Sequence, residues 1–103
     1  MQGTILQPGG RLDIGTYAGF ESDVLAAIEA GTPWLVLDFS EVVYLGTLGV
    51  RVVMTAMKRL RAAGGRLVIC AIQTPVADVI EISGLTGLLE IYPDRASALA
   101  ALS

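Results

Sequence analysis

Residues 34–53 read WLVLDFSEVVYLGTLGVRVV, and the fold turns on how this stretch is divided. Trp34–Asp38 is a continuous apolar run closed by a carboxylate, the pattern of a strand covered on both faces. A short connection follows. Gly46-Thr47-Leu48-Gly49 then opens a long amphipathic helix, expected over Thr47–Ala63. Val50, Val53, Met54, Met57 and Leu60 form its apolar stripe, with Arg51, Lys58 and Arg61 largely off it. Gly64-Gly65 ends it.

The same alternation extends in both directions. Arg66–Ile72 reads as a second buried strand. Pro75 sits at the first turn of a short helix over Pro75–Ile82, with Thr74 as its expected cap. Leu88–Tyr92 is a last short strand. Asp94 can cap a C-terminal helix that turns Leu99 and Leu102 inward. Upstream, Phe20, Val24, Leu25, Ala27 and Ile28 recur at helical spacing over Tyr17–Ala30, opposite Glu21, Asp23 and Glu29. Gly31 and Pro33 stop that helix. Thr4–Gln7 is a strand candidate, Pro8-Gly9-Gly10 a turn, and Arg11–Asp13 a returning strand that would add an antiparallel edge. Strands alternating with helices imply a mixed, mostly parallel four- to five-stranded sheet flanked by about four helices. Phe20, Trp34, Val53, Met57 and Ile69 are assigned to its core.

At 103 residues the chain reads as one domain over 1–103, and 53% hydrophobic against 17% charged residues suffices for a core. The net charge is −3, and the basic residues cluster only at Lys58, Arg59 and Arg61, which disfavours nucleic acid. There is no histidine and one cysteine, Cys70, in an apolar run. Disulfide scaffolds, Cys/His zinc sites and imidazole-dependent nucleophilic catalysis are thereby excluded within one chain. Asp38 and Glu41 lie where ligands often bind parallel sheets, yet a metal would need further ligands. The favoured reading is that Asp38 hydrogen-bonds the turn Phe39-Ser40-Glu41. The glycine pairs lack the spacing of phosphate loops. No enzyme activity, cofactor or metal is expected. With no secretory signal and no apolar run near the ~20 residues of a membrane span, a cytoplasmic location without direct membrane insertion is the default expectation.

Thr47 has two readings. One is an N-cap whose oxygen accepts a first-turn N–H, worth about 1 kcal/mol, which is the commoner role on physical grounds alone. The other is a phosphorylation site, where a dianion beside the positive end of a helix is tolerated by the fold but not by a partner packed on the same surface.

The segments Val36–Leu45, Gly49–Val53, Gly64–Cys70, Thr74-Pro75-Val76, Ile82–Leu85 and Ile91–Asp94 together resemble STAS domains, the anti-sigma factor antagonist family. The resemblance runs in order over almost the whole chain. It implies a mixed sheet flanked by helices and a partner-switching function. Family members bind an anti-sigma factor that is also a serine-protein kinase. They are inactivated when that kinase phosphorylates a Ser or Thr at the helix start, and a PP2C-type phosphatase restores them. Carried onto this chain, Thr47 is the candidate acceptor and Gly49 the motif glycine, while Gly46 and Leu48 depart from the family's usual residues. If the acceptor is instead the position before the glycine, Leu48 cannot be phosphorylated. The partner surface is expected to comprise Tyr44, Leu45, Gly46, Thr47, Leu48 and Gly49 with Arg51 and Thr55, bordered by Asp13 and Tyr17. The alternative implied function is a non-catalytic STAS subunit of an ABC transporter, including those moving phospholipids, which binds its ATPase.

Overall fold

The computed structural model describes residues 3–103. Its elements run β1 (Thr4–Leu6), β2 (Gly9–Leu12), α1 (Tyr17–Glu29), β3 (Trp34–Asp38), β4 (Glu41–Leu45), α2 (Thr47–Ala62), β5 (Arg66–Cys70), α3 (Thr74–Ile82), β6 (Glu90–Tyr92) and α4 (Arg95–Ala101). Four strands form one parallel sheet in the order β1-β3-β5-β6, and β2 and β4 form a second, two-stranded parallel sheet.

The expected antiparallel hairpin at the N-terminus is not formed. Gly9 and Gly10 belong to β2 rather than to a turn, and β2 runs on beside β4 instead of returning along β1. The stretch after Asp38 is likewise a strand, not a simple connection. Both corrections have one cause. Each of two paired strands, β1 beside β3, breaks at the same level and continues as the pair β2 and β4. The breaks are tied together across the gap, where Gln7 Nε2 donates to Ser40 Oγ at 3.0 Å.

The Asp38 corner makes the second break. Oδ1 accepts the Ser40 N–H at 3.0 Å, closing the turn as expected from the sequence, and Oδ2 accepts from Arg95 Nε at 2.9 Å. Ser40 O accepts from Gln73 Nε2, and the Phe39 N–H continues the ladder to Cys70 O. Phe39 is then driven fully inside, edge-on to Phe20 with ring centroids 6.1 Å apart.

The period-2 alternation of β3 and β5 feeds two cores. Leu35, Leu37, Leu67 and Ile69 face the larger one, beneath α1, α2 and α3. Val36, Val68 and Cys70 face the smaller, closed by Ala98 of α4. Phe20, Val53, Met57 and Ile69 are buried as expected. Trp34 is only half-buried, on the α4 side with Tyr92, Leu99 and Leu102. Burial raises the pKa of the Cys70 thiol, and the Asp38 charge adds to this, so the sulfur stays a neutral packing group.

Helix ends follow local chemistry. Gly31 and Gly64 take positive φ of 84° and 78° just past α1 and α2, which ends each helix without a Cβ clash. Asp94 caps α4, its Oδ1 accepting the Ser97 N–H at 2.7 Å. Thr74 is not a cap, because that position falls to Gln73 and Thr74 is already helical.

Burial opposes ionisation of Asp38, but the Ser40 N–H and hydroxyl and the Arg95 guanidinium more than offset it, so its pKa is lowered. A carboxylate held below its unfolded pKa stabilises the fold above that pKa. The contribution is lost as pH falls through the folded value, below about pH 4. Asp38→Asn is expected to cost about 1–3 kcal/mol at neutral pH. Urea melts across this acid range should show a shallower loss of stability in the variant than in the parent.

Candidate functional site

The site candidates converge where β4 hands over to α2. Gly46 is the N-cap, in extended backbone (φ −89°, ψ 178°), and its N–H donates to Leu12 O at 2.8 Å. The first helical acceptance is Val50 N–H to Gly46 O. The N–H groups of Thr47, Leu48 and Gly49 therefore have no partner within the helix and add to its positive end.

Thr47 is not the cap. It is the first helical residue, exposed, and its hydroxyl makes no hydrogen bond among the described residues. The cap reading placed it one residue too early, because Gly46 supplies the extended backbone that a cap requires.

The predicted partner residues separate by depth. Tyr44 is 40% exposed, Thr47 and Arg51 are exposed, and Leu48 and Thr55 are half-buried. Leu45 is not a surface group: it lies in the core under the loop at 2% exposure. Gly46 and Gly49 are buried backbone. These three hold the surface up from below rather than presenting side chains.

Gly49 shows how tightly. A Cβ there would stand 2.7 Å from Leu45 Cδ1 and 3.0 Å from Leu12 O. The first turn of α2 thus rests directly on the β2–β4 pair, and the glycine is required by close approach. Leu48, by contrast, points partly outward and tolerates its apolar side chain.

The bordering turn is over-determined. Asp13 Oδ1 accepts the Gly15 N–H at 3.0 Å, Thr16 Oγ1 accepts the Asp13 N–H, and the Thr16 and Tyr17 N–H groups return to Asp13 O. The Gly15 N–H, with Arg11 and Thr16 assisting, lowers the Asp13 pKa. Tyr17 packs at the edge of the large core.

Three neighbours escaped the sequence reading. Arg11 lies 4.2 Å over the Tyr44 ring and 3.2 Å from Asp13 Oδ2. Val43 is 51% exposed because β4 bulges there: Gly10 pairs with Val42 and Arg11 with Tyr44, leaving Val43 unmatched. Ile14 is 83% exposed at the tip of the Asp13 turn. Only the β2–β4 register brings these residues to the Thr47 surface, and that pairing is invisible locally.

A family model for the STAS domain matches residues 2–98. The chain belongs to the STAS family. BtrV of Bordetella bronchiseptica, provisionally named an anti-sigma factor antagonist, is 35% identical over 81 residues, spanning 79% of this chain and 70% of BtrV. An anti-sigma factor antagonist from Mycobacterium paratuberculosis superposes with a TM-score of 0.88 at 25% identity, covering 98% of this chain and 86% of that one. SpoIIAA, another anti-sigma factor antagonist, shares the STAS fold in two forms. Its unphosphorylated structure gives a TM-score of 0.84 at 21% identity, covering 99% of this chain and 90% of that one. The phosphorylated form, from Bacillus, gives 0.77 at 19%, covering 100% and 94%. The mostly parallel sheet flanked by four helices read from the sequence is the architecture shared with these STAS proteins, whereas the antiparallel edge that would have made the sheet mixed is not formed among the described residues.

The Gly49 contact can be tested alone. Gly49→Ala gains helix propensity but must displace Leu45 and the Leu12 carbonyl, a net loss of about 1–3 kcal/mol. A lower urea midpoint with an unchanged m-value is the expected outcome, and an unchanged midpoint would mean that the first turn of α2 can lift.

Proposed function

We propose that this STAS domain is an anti-sigma factor antagonist. It binds an anti-sigma factor of the serine-protein kinase type through the surface of Tyr44, Thr47, Leu48, Arg51 and Thr55. Phosphorylation of Thr47 switches that binding off. The observation that carries the reading is the state of Thr47 itself: an exposed hydroxyl, free of capping duty, at the positive end of α2. The names of BtrV and of the structural neighbours support the antagonist role.

The chemistry needed from this chain is small. The Thr47 oxygen attacks the γ-phosphorus of the kinase's ATP, a base of the kinase takes the hydroxyl proton, and ADP leaves as the bond from the β–γ bridging oxygen to the γ-phosphorus breaks. The phosphate adds about −1.5 to −2 charges near neutral pH. Within the chain it meets unpaired N–H groups at the helix start and Arg51 one turn along, so the fold accepts it. At a packed interface the same dianion must be desolvated, and the complex is lost unless the partner offers a cation. A PP2C-type phosphatase would then restore the binding form, with ATP belonging to the kinase alone.

Intact-mass spectrometry after incubation with an anti-sigma kinase and ATP tests the switch. One added phosphate, mapped to Thr47 and absent from Thr47→Ala, is the expected result. Thr47→Asp should weaken the complex at least tenfold by calorimetry while the thermal midpoint stays within about 2 °C, as a surface change does. Phosphate on another residue would remove Thr47 from the mechanism. A stable complex with an ABC-type ATPase and no phosphate transfer from any kinase would favour the transporter-subunit role instead.

A further inference from the structure

The outer face of α2 differs electrically from the rest of the chain. Arg51, Lys58, Arg59 and Arg61 place four of the seven basic residues on this one helix, which contains no acidic residue. The helix packed beside it, α1, has the opposite composition: Glu21, Asp23 and Glu29 with no basic residue. All four α2 cations are exposed. Arg61 donates to Leu88 O, whereas Arg51, Lys58 and Arg59 enter no salt bridge among the described residues.

Their placement is directional. At 3.6 residues per turn, Thr47, Arg51 and Lys58 fall within an arc of about 40° and span about 16 Å of helix. Arg61 flanks that line on one side and Arg59 on the other. The strip therefore begins at the phosphorylation candidate and continues down the helix as positive charge. In a chain of net charge −3, such a strip is a local reversal of sign.

We infer that the outer strip of α2 is an electrostatic docking track for an acidic surface on a protein partner. The identity of that partner, an anti-sigma factor, rests on the function proposed above. Charge complementarity sets the class of occupant. A nucleic acid carries its charge along its whole length and would bring phosphates against the α1 carboxylates as well as the strip, whereas an acidic patch on a protein can be confined to the strip, and α2 itself offers no aromatic ring on which a base could stack. A lipid surface would need large apolar groups to bury beside the cations, and the exposed positions of α2 are Thr47, Arg51, Lys58, Arg59, Arg61 and the small Ala62, while the exposed Ile14 and Val43 lie off the helix at its Thr47 end. An acidic protein surface needs only the charges that are present.

The track gives Thr47 modification a second effect. A phosphate there would draw Arg51 to itself and set a negative charge at the head of the strip. The attraction that steers the partner would be reversed at the point of first contact.

The test uses the full chain, isotope-labelled, with a poly-glutamate peptide as the probe, at ionic strengths giving Debye lengths of about 30 Å and about 8 Å. Expected are amide shift changes confined to the outward positions of α2 at low salt, lost at high salt, and abolished in Arg51→Gln/Lys58→Gln. The same double variant should slow association with the anti-sigma kinase about tenfold at low salt, with an unchanged thermal midpoint. Shifts spread over the chain, or kept in the double variant, would overturn the track. So would binding of RNA or anionic vesicles to these residues without binding of poly-glutamate. Failure of the kinase to bind the parent protein, with the poly-glutamate response intact, would overturn the proposed function and leave the track standing.

Discussion

The Asp38 corner is the constraint on which the rest of the molecule depends. One carboxylate turns the chain between β3 and β4 through the Ser40 N–H and, with its other oxygen, holds Arg95 at the start of α4. The first bond creates the β2–β4 pair that supports α2. The second places the helix that covers the far face of the sheet. Because the carboxylate is 7% exposed and its partner 42%, the pair is half in solvent, and Arg95 satisfies the acid without a second charge being fully buried.

From that corner the site is built upward by packing rather than by polar chemistry. Leu12 and Leu45 form the seat, Gly49 lets the helix down onto it, and Gly46 fixes the entry through the Leu12 carbonyl. What remains on top is a layer of exposed side chains, among them Thr47 and Arg51. An inner layer that fixes position and an outer layer that meets solvent can then change independently. Gly46 and Leu48, the departures from the family motif, divide along this line: Gly46 sits in the inner layer and Leu48 reaches the outer one.

Much of the fold was legible because its signals are local. The stripes of α1 and α2, the glycines that stop them, the Asp94 cap and the Asp38 turn each depend on residues within a few positions. The failures are non-local. Nothing in Gly9–Leu12 reveals a parallel partner in Glu41–Leu45 some thirty residues on. The bulge at Val43 also breaks the alternation by which β4 would have announced itself, leaving Val42 and Leu45 buried at a spacing of three. The loop around Thr47 was therefore legible as a candidate, while Arg11 and Ile14, which arrive through that pairing, were not. Thr47 itself was shifted by one position, since a threonine and a glycine at a helix mouth are each good caps and only backbone geometry separates them.

The two-sided sheet has a consequence for biosynthesis. The large core draws on residues from Leu12 to Leu85 and becomes complete once those are available. The small core waits for Ala98, which is made after every strand it covers. Until α4 docks, a nascent chain displays Val36, Val68 and the Cys70 thiol on an otherwise finished sheet, a surface open to chaperones and to oxidants. The Arg95–Asp38 contact, at the leading end of α4, is the first tether available to close it.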